Sequence, residues 1–201
     1  MMIKLLKRFL LIAIILFAML LVAKLFIVVV TKQAEKYAQR VNANKVTEIS
    51  WTPFHSVIGN FKAVFPDTPG YDHAEIPILD GKISTVYDTY AAEDPDNDFY
   101  TITVVQYPPE VVLGNTDEVI EKVMNEIINE TPGNELLEFH PVIGDKGVSG
   151  FDFIVQSGDY STHYRALIDF RTLYILSVAS SDVDTKKTCI KRFLEGFKIL
   201  V

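Results

Sequence analysis

Residues 136–179 read LLEFHPVIGDKGVSGFDFIVQSGDYSTHYRALIDFRTLYILSVA, and this stretch decides the fold. Apolar and aromatic runs of strand length alternate here with short turn sequences rich in Gly, Asp and Ser. Strands this close in sequence are joined by hairpins, because a parallel pair needs a crossover of a dozen residues or more. The stretch therefore predicts four antiparallel strands, at Leu136–Ile143, Val148–Gln156, Tyr160–Phe170 and Leu173–Ala179.

Two hairpins and a single strand are predicted upstream of this stretch. They cover Trp51–Val57 with Asn60–Phe65, Asp72–Leu79 with Lys82–Tyr90, and Phe99–Tyr107. The second hairpin turns at Asp80-Gly81, a dipeptide that is a strong hairpin signal. Pro77 has no N–H to donate to a neighbouring strand, so its strand is expected at an edge of the sheet.

Two helices interrupt the predicted strands. The first begins at Asn115 or Thr116, either of which can cap it, and ends before Pro132. Its apolar residues recur at the spacing of one helical stripe. The second helix covers about Thr185–Glu195, and Gly196 stands where a C-terminal cap belongs. Hairpin-connected strands with two lone helices predict the α+β class, a mostly antiparallel sheet covered by helices.

Charge is divided unevenly along the chain. Residues 1–45 carry eight Lys or Arg against one acid, a net charge of +7, and residues 46–201 carry a net charge of −14. A phosphate backbone would be repelled by so acidic a domain, so no nucleic-acid partner is expected. The single cysteine, Cys189, excludes an internal disulfide and a multi-cysteine metal site.

A long apolar run dominates the N-terminal part of the chain. Phe9–Val30 spans 22 positions and Lys24 is its only charged residue. As a helix the run is about 33 Å long, enough to cross a hydrocarbon core of about 30 Å. It is longer than the apolar region of a signal peptide, and no small-x-small cleavage site follows it. The sequence therefore predicts a retained signal-anchor, a single transmembrane helix.

These patterns divide the chain into four predicted segments. They are a basic N-terminus at 1–8, the transmembrane helix at 9–30, a polar helical stalk at 31–45 and a globular domain at 46–201. The basic cluster ahead of the helix favours a single-pass protein whose acidic domain is extracytoplasmic, in the periplasm or its equivalent. Lys24 either snorkels to the nearer interface or pairs with a neighbouring membrane subunit.

Several short motifs resemble PsbP-like domains, a family of small exported bacterial and plastid proteins. The matching segments are WTPFHS at 51–56, GNFKAVFP at 59–66, GFDF at 150–153, YRA at 164–166, LYILSV at 173–178 and FLEGF at 193–197. They are packing and turn residues, and they span nearly all of residues 51–200. The resemblance implies an α/β/α sandwich without catalytic activity. PsbP itself is an extrinsic subunit that stabilises a photosystem and its ion cofactors, a role that is not transferred here.

Catalytic motifs are not matched by this sequence. The segment GVSGF at 147–151 approaches the nucleophile elbow G-x-S-x-G but has Phe151 in place of the final glycine. The four histidines lack the spacing of a zinc motif. We therefore expect a protein that is no enzyme and carries no cofactor.

Two places are candidates for binding a ligand or partner. Residues 93–98, EDPDND, place four carboxylates close together, either as a loose divalent-ion site or as a solvated acidic turn. Along Tyr160–Phe170, the period of two puts His163, Arg165 and Asp169 on one strand face. These three side chains could line a ligand pocket, or they could form a cross-strand polar ladder or ion pair.

Together, these features predict a non-catalytic, membrane-anchored accessory or scaffold subunit of a membrane protein complex. Its expected partners are other membrane-protein subunits and the lipid bilayer. The candidate contact residues are Lys24, His163, Arg165 and Asp169. The alternative function is that of an anchored binding module for a small ligand or a divalent ion.

Overall fold

The structure, a computed structural model, describes residues 49–78, 80–181 and 183–200. Its strands are β1 Thr52–Ser56, β2 Phe61–Phe65, β3 Gly70–Ile78, β4 Ile83–Glu93, β5 Phe99–Gln106, β6 Glu135–Ile143, β7 Ser149–Ser157, β8 Tyr160–Asp169, β9 Thr172–Ser180 and β10 Lys198–Ile199. Its helices are α1 Thr116–Glu130 and α2 Val183–Gly196, and a short 3₁₀ turn covers Asp145–Gly147.

The strands build two sheets in which the paired strands run antiparallel. The larger sheet has seven strands in the order β3-β4-β5-β9-β8-β7-β6, and the smaller has the order β1-β2-β10. Helix α1 packs against β7 and β8, whereas α2 packs against β2, β8 and β9. Since side chains alternate between the two faces of a strand, each helix has its own core beneath it.

The two cores meet along β9. Leu173 belongs to the core under α1, together with Ile120 of that helix. Leu176 points to the opposite face, where it joins the core formed by the small sheet and α2. This second core is rich in aromatic rings, and Phe61 of β2 and Phe193 of α2 are fully buried in it. The strand alternation seen in the sequence therefore serves two buried faces.

The predicted fold class is wrong. We expected an α+β chain in which a transmembrane helix precedes an α/β/α sandwich, but the described residues are mostly strand, with two helices. One face of the main sheet is covered by a second sheet together with α2, instead of by helices alone. The reason is that β10, at the end of the chain, pairs with β2 and completes a separate three-stranded layer.

The predicted membrane-spanning run lies outside the described residues. This holds for Phe9–Val30 with its Lys24, and also for the basic segment before it and the stalk at 31–45. Neither helix in the described part of the chain has the length and apolar character needed to cross a bilayer. The division into four segments therefore stays a prediction.

Local predictions that depend on a few neighbouring residues are confirmed. Asp80 and Gly81 have φ angles of 58° and 79°, as a tight hairpin turn with two left-handed residues requires. Strand β3, which contains Pro77, is an edge strand. Asn115 caps α1, since its side-chain oxygen accepts the Glu118 N–H at 2.9 Å while its amide donates to the Glu118 carboxylate at 2.8 Å.

Candidate functional site

In the first predicted site, the face of β8 around Arg165, the arginine binds other residues of the same domain. The guanidinium donates to both carboxylate oxygens of Asp152 on β7, each at 2.7 Å, in a bidentate pair. It also donates to the carbonyl of Leu194, in the last turn of α2, at 3.1 Å. The hydrogen bond to Asp152 raises the pKa of Arg165. One side chain therefore joins β7, β8 and the end of α2.

The other two residues predicted on this face do not share that network. His163 lies two positions before Arg165, and its Nε2 is buried without a hydrogen-bond partner. Burial lowers the pKa of His163. Asp169 stands at the far end of β8, opposite Thr172, about 13 Å from Arg165 at the usual rise of a strand. Lys24 lies outside the described residues, so a contact role for these four residues stays a prediction.

The second predicted site, the acidic loop between β4 and β5, is closed by a lysine. Lys186 of α2 places its Nζ 3.0 Å from an oxygen of Asp94, 2.6 Å from Asp96 and 3.1 Å from Asp98. The side chains of Asp94 and Asp98 are 0% and 6% exposed. The ammonium thus stands where three carboxylates would hold a bound cation, and neither a loose ion site nor a solvated turn describes the loop.

Hydrogen bonds fix the loop around this ammonium. The second oxygen of Asp94 accepts the backbone N–H groups of Asp96 and Asp98 at 2.9 and 3.0 Å. Burial by itself would lower the pKa of Lys186, but its hydrogen bonds to the three carboxylates raise the pKa above its usual range. The described residues contain no group of three or more His, Cys, Asp or Glu arranged to hold a metal ion.

A third cluster surrounds Asp88 of β4 and was missed in the sequence. Asp88 is fully buried. Its Oδ1 accepts the hydroxyl of Tyr71 at 2.7 Å and lies 2.8 Å from Nδ1 of His73, both on the edge strand β3. Its Oδ2 is buried and has no hydrogen-bond partner. The cluster therefore combines a buried anion with one unused acceptor, beneath two half-exposed side chains.

Proton binding at this cluster centres on His73. The hydrogen bond to Asp88 raises the pKa of His73 and raises that of Tyr71 to about 12. Glu75, whose carboxylate is 3.7 Å from His73 Nε2, acts in the same direction. A signal for the site was present in the sequence, because Asp88 has the same strand parity as the buried Tyr90. A carboxylate at an inward position of a strand needs a buried partner.

Comparisons with known proteins identify a fold. No family model matches the chain, and no curated protein matches it. Among solved structures, it is similar to the cyanobacterial PsbP protein CyanoP from Synechocystis sp. PCC 6803, known from a solution structure. The match has a TM-score of 0.50 and 12% sequence identity, and it covers 80% of this chain and 99% of that protein. The described domain therefore has a PsbP-like fold, in agreement with the resemblance carried by its sequence motifs.

Proposed function

We propose that this chain is a non-catalytic accessory subunit that binds other proteins of a membrane complex. In this proposal the chain is attached to the membrane and its acidic domain lies on the extracytoplasmic side. The observation that carries the proposal is that the cations at both predicted sites form ion pairs within the chain, which leaves them unavailable for catalysis. Lys186 and Arg165, the cations of the two predicted sites, are both held by acidic groups of the same chain.

The geometry of these pairs favours a structural role over catalysis. A catalytic acid, base or electrostatic group must reach the substrate and change its interactions during the reaction. Lys186 is enclosed by three carboxylates, and Arg165 uses its donors on Asp152 and the carbonyl of Leu194. These bonds link the β4–β5 loop, β7 and β8 to α2, so the charged groups stabilise the packing of the domain.

The fold adds support by analogy. The motifs that resemble PsbP-like domains imply a domain without catalytic activity, and the similar solved structure is a PsbP protein. A fold by itself does not assign a function, so the likeness to PsbP is secondary to the internal pairing of the charged groups.

Affinity purification of the tagged full chain from native membranes tests the proposal. We expect one or more other chains to co-purify in a constant ratio across independent preparations and across two mild detergents. An unrelated single-pass protein carrying the same tag is the control. Recovery of this chain without partners in constant ratio, while the membrane's other complexes stay intact, contradicts the proposal.

A second candidate function, binding of a small ligand or cation, is favoured by one observation at the Asp88 cluster. The unused Oδ2 of Asp88 is an acceptor that a ligand donor or a cation would satisfy. Thermal unfolding of the full chain against a panel of divalent cations and small metabolites tests this function. We expect a shift that is lost in Asp88→Asn, and the absence of a shift at millimolar concentrations contradicts it.

A further inference from the structure

Large apolar side chains point into solvent at one end of the seven-stranded sheet. Val112, Ile143 and Phe170 are 94%, 79% and 95% exposed. They lie in the loop after β5, at the end of β6 and in the β8–β9 turn. The antiparallel register brings these connections to the same end, since Thr172 at the start of β9 is opposite both Gln106 and Asp169. The end of β6 lies there too, because Ile143 pairs with the first residue of β7, and the next residue of β7 pairs with Leu167 near the end of β8. We call Val112, Ile143 and Phe170 the apolar end.

Phe170 combines two features that do not stabilise the fold, an exposed aromatic ring and a positive φ angle. It follows Asp169 in a two-residue turn and has a φ of 53°, in the left-handed region. Glycine and asparagine suit this conformation, whereas a bulky side chain is disfavoured there. Burial gives no compensation, because the ring is almost completely exposed. A strained residue that does not help the fold points to a role outside it.

A clamp around Arg171 holds Phe170 beside the loop that carries Val112. The Arg171 side chain donates to the carbonyls of Tyr107, Pro108 and Val111. Its own carbonyl accepts the N–H of Tyr107 at 2.9 Å. Arg171 directly follows Phe170, and Val111 directly precedes Val112, so these hydrogen bonds hold the two backbone segments together. Such preorganisation reduces the entropy cost of binding.

The charged residues around the apolar end indicate the kind of surface that would bind it. The guanidinium of Arg171 is bound by backbone carbonyls, and Lys146 in the β6–β7 connection donates to the carbonyl of Ile199 at 2.9 Å. Asp169 precedes Phe170 and the exposed Glu110 lies in the loop that carries Val112. The cavity that Val112 lines contains one lysine, Lys122, and two acids, Glu118 and Glu126. Residues 46–201 also carry a net charge of −14. An anionic bilayer would repel such a surface, whereas a protein surface with basic side chains would attract it.

We propose that Phe170 inserts into an apolar pocket bordered by basic side chains on a partner protein, with Val112 of the neighbouring loop in the same interface. Aromatic residues are frequent anchors of protein interfaces, and an anchor in a pocket contributes most when acidic and basic groups surround it in complementary positions. This inference rests on the proposed accessory function and names the surface that would perform it.

Site-specific photocrosslinking of the full chain in native membranes tests the proposal. Benzoylphenylalanine replaces Phe170 in one version and Val57, 82% exposed in the β1–β2 turn, in the control. We expect a crosslink from position 170, and not from position 57, to a different protein. Crosslinks from position 170 to lipid alone or to a second copy of this chain overturn the proposal, as do identical products from both positions.

The variant Phe170→Asn separates binding from folding. Asparagine suits the turn, so we expect an unchanged or higher midpoint of thermal unfolding, while recovery of the partner falls about tenfold or more. The matched variant Val57→Asn should leave recovery unchanged. Undiminished recovery with Phe170→Asn overturns this surface and leaves the accessory function standing. If the wild-type chain itself recovers no partner, the accessory function fails first.

Discussion

The two ends of the seven-stranded sheet depart from the usual distribution of residues in opposite directions. At the β4–β5 end, Asp94 and Asp98 are buried, although carboxylates usually lie on the surface. At the apolar end, Phe170 and Val112 are almost completely exposed. The first departure is compensated within the chain, because Lys186 from α2 forms an ion pair with each of the two buried carboxylates. The second has no such compensation.

This difference separates structural from interacting residues. A buried acid that meets a cation of the same fold explains itself as part of the architecture. Phe170 differs: its ring is exposed, and its backbone has a positive φ that bulky residues disfavour. The fold does not explain this residue, so we look for its role in binding another molecule. The position of an unusual residue is therefore less informative than whether the fold supplies its partner.

The largest expected effect is at the compensated end. Lys186→Met leaves buried carboxylates without their cation, so we expect the free energy of unfolding to fall by about 3 kcal/mol. Denaturant unfolding of the full chain in mild detergent measures it. Lys191→Met is the matched control, because Lys191 is 71% exposed and pairs with Glu195 at 3.8 Å, a pair that contributes about 0.5 kcal/mol or less. Equal losses in the two variants would remove the distinction between the ends.

The next effect concerns Arg165, which the comparison places among the structural residues. Arg165→Met breaks the bidentate pair with Asp152 and the bond to Leu194, and we expect a loss of about 2 kcal/mol of stability. Partner recovery at a temperature where the variant stays folded should be unchanged. Lost recovery with intact stability would instead make Arg165 a direct contact, which is one of the two alternatives that the sequence left open.

At the uncompensated end, a substitution should stabilise the domain. Phe170→Asn relieves a left-handed aromatic residue and removes no buried contact, so we expect a gain of about 0.5–1 kcal/mol. Val57→Asn, at an exposed position without a positive φ, should change stability very little. Destabilisation by Phe170→Asn would show that the ring supports the fold, and the contrast between the two ends would disappear.

The smallest effects are pH-dependent and come from two histidines outside both ends. Hydrogen bonding to Asp88 raises the pKa of His73 above about 6.5, so its contribution is complete below that pH and is lost as pH rises through the higher folded value. Burial lowers the pKa of His163, so acidification below about 6.5 destabilises the fold through this group. We therefore compare how the unfolding midpoint depends on pH, between pH 5 and 8, in the wild type and in two variants. His73→Gln should lose stability relative to the wild type mainly at low pH, whereas His163→Gln should lose the destabilisation that the wild type shows at low pH. Parallel changes would contradict both assignments.

Local structure could be predicted from the sequence because its causes are local. The Asp80-Gly81 turn and the Asn115 cap each depend on residues within a few positions, and both are confirmed. The layer arrangement could not be predicted, since it depends on the pairing of Lys62 with Lys198 across most of the domain. Alternation describes which face of a strand is buried but not which sheet the strand joins.

The candidate sites were predictable only in part, for the same reason. The alternation of β8 placed His163 and Arg165 on one face, and the ion pair of Arg165 with Asp152 on the neighbouring strand is one of the two predicted alternatives. The bond of Arg165 to the end of α2 was not predicted. The acidic loop was visible, whereas its cation, Lys186, arrives from a helix far along the chain. Asp88 could have been found, because an acid at the parity of buried residues marks an internal polar cluster.

Sedimentation velocity of the full chain, extracted from native membranes in a mild detergent, tests the central claim most directly. The account predicts that the chain sediments with other proteins as one assembly, and that Phe170→Asn shifts it to a slower species while the domain stays folded. A wild-type chain that sediments alone as a monomer, under conditions where the membrane's other complexes remain intact, would contradict the account.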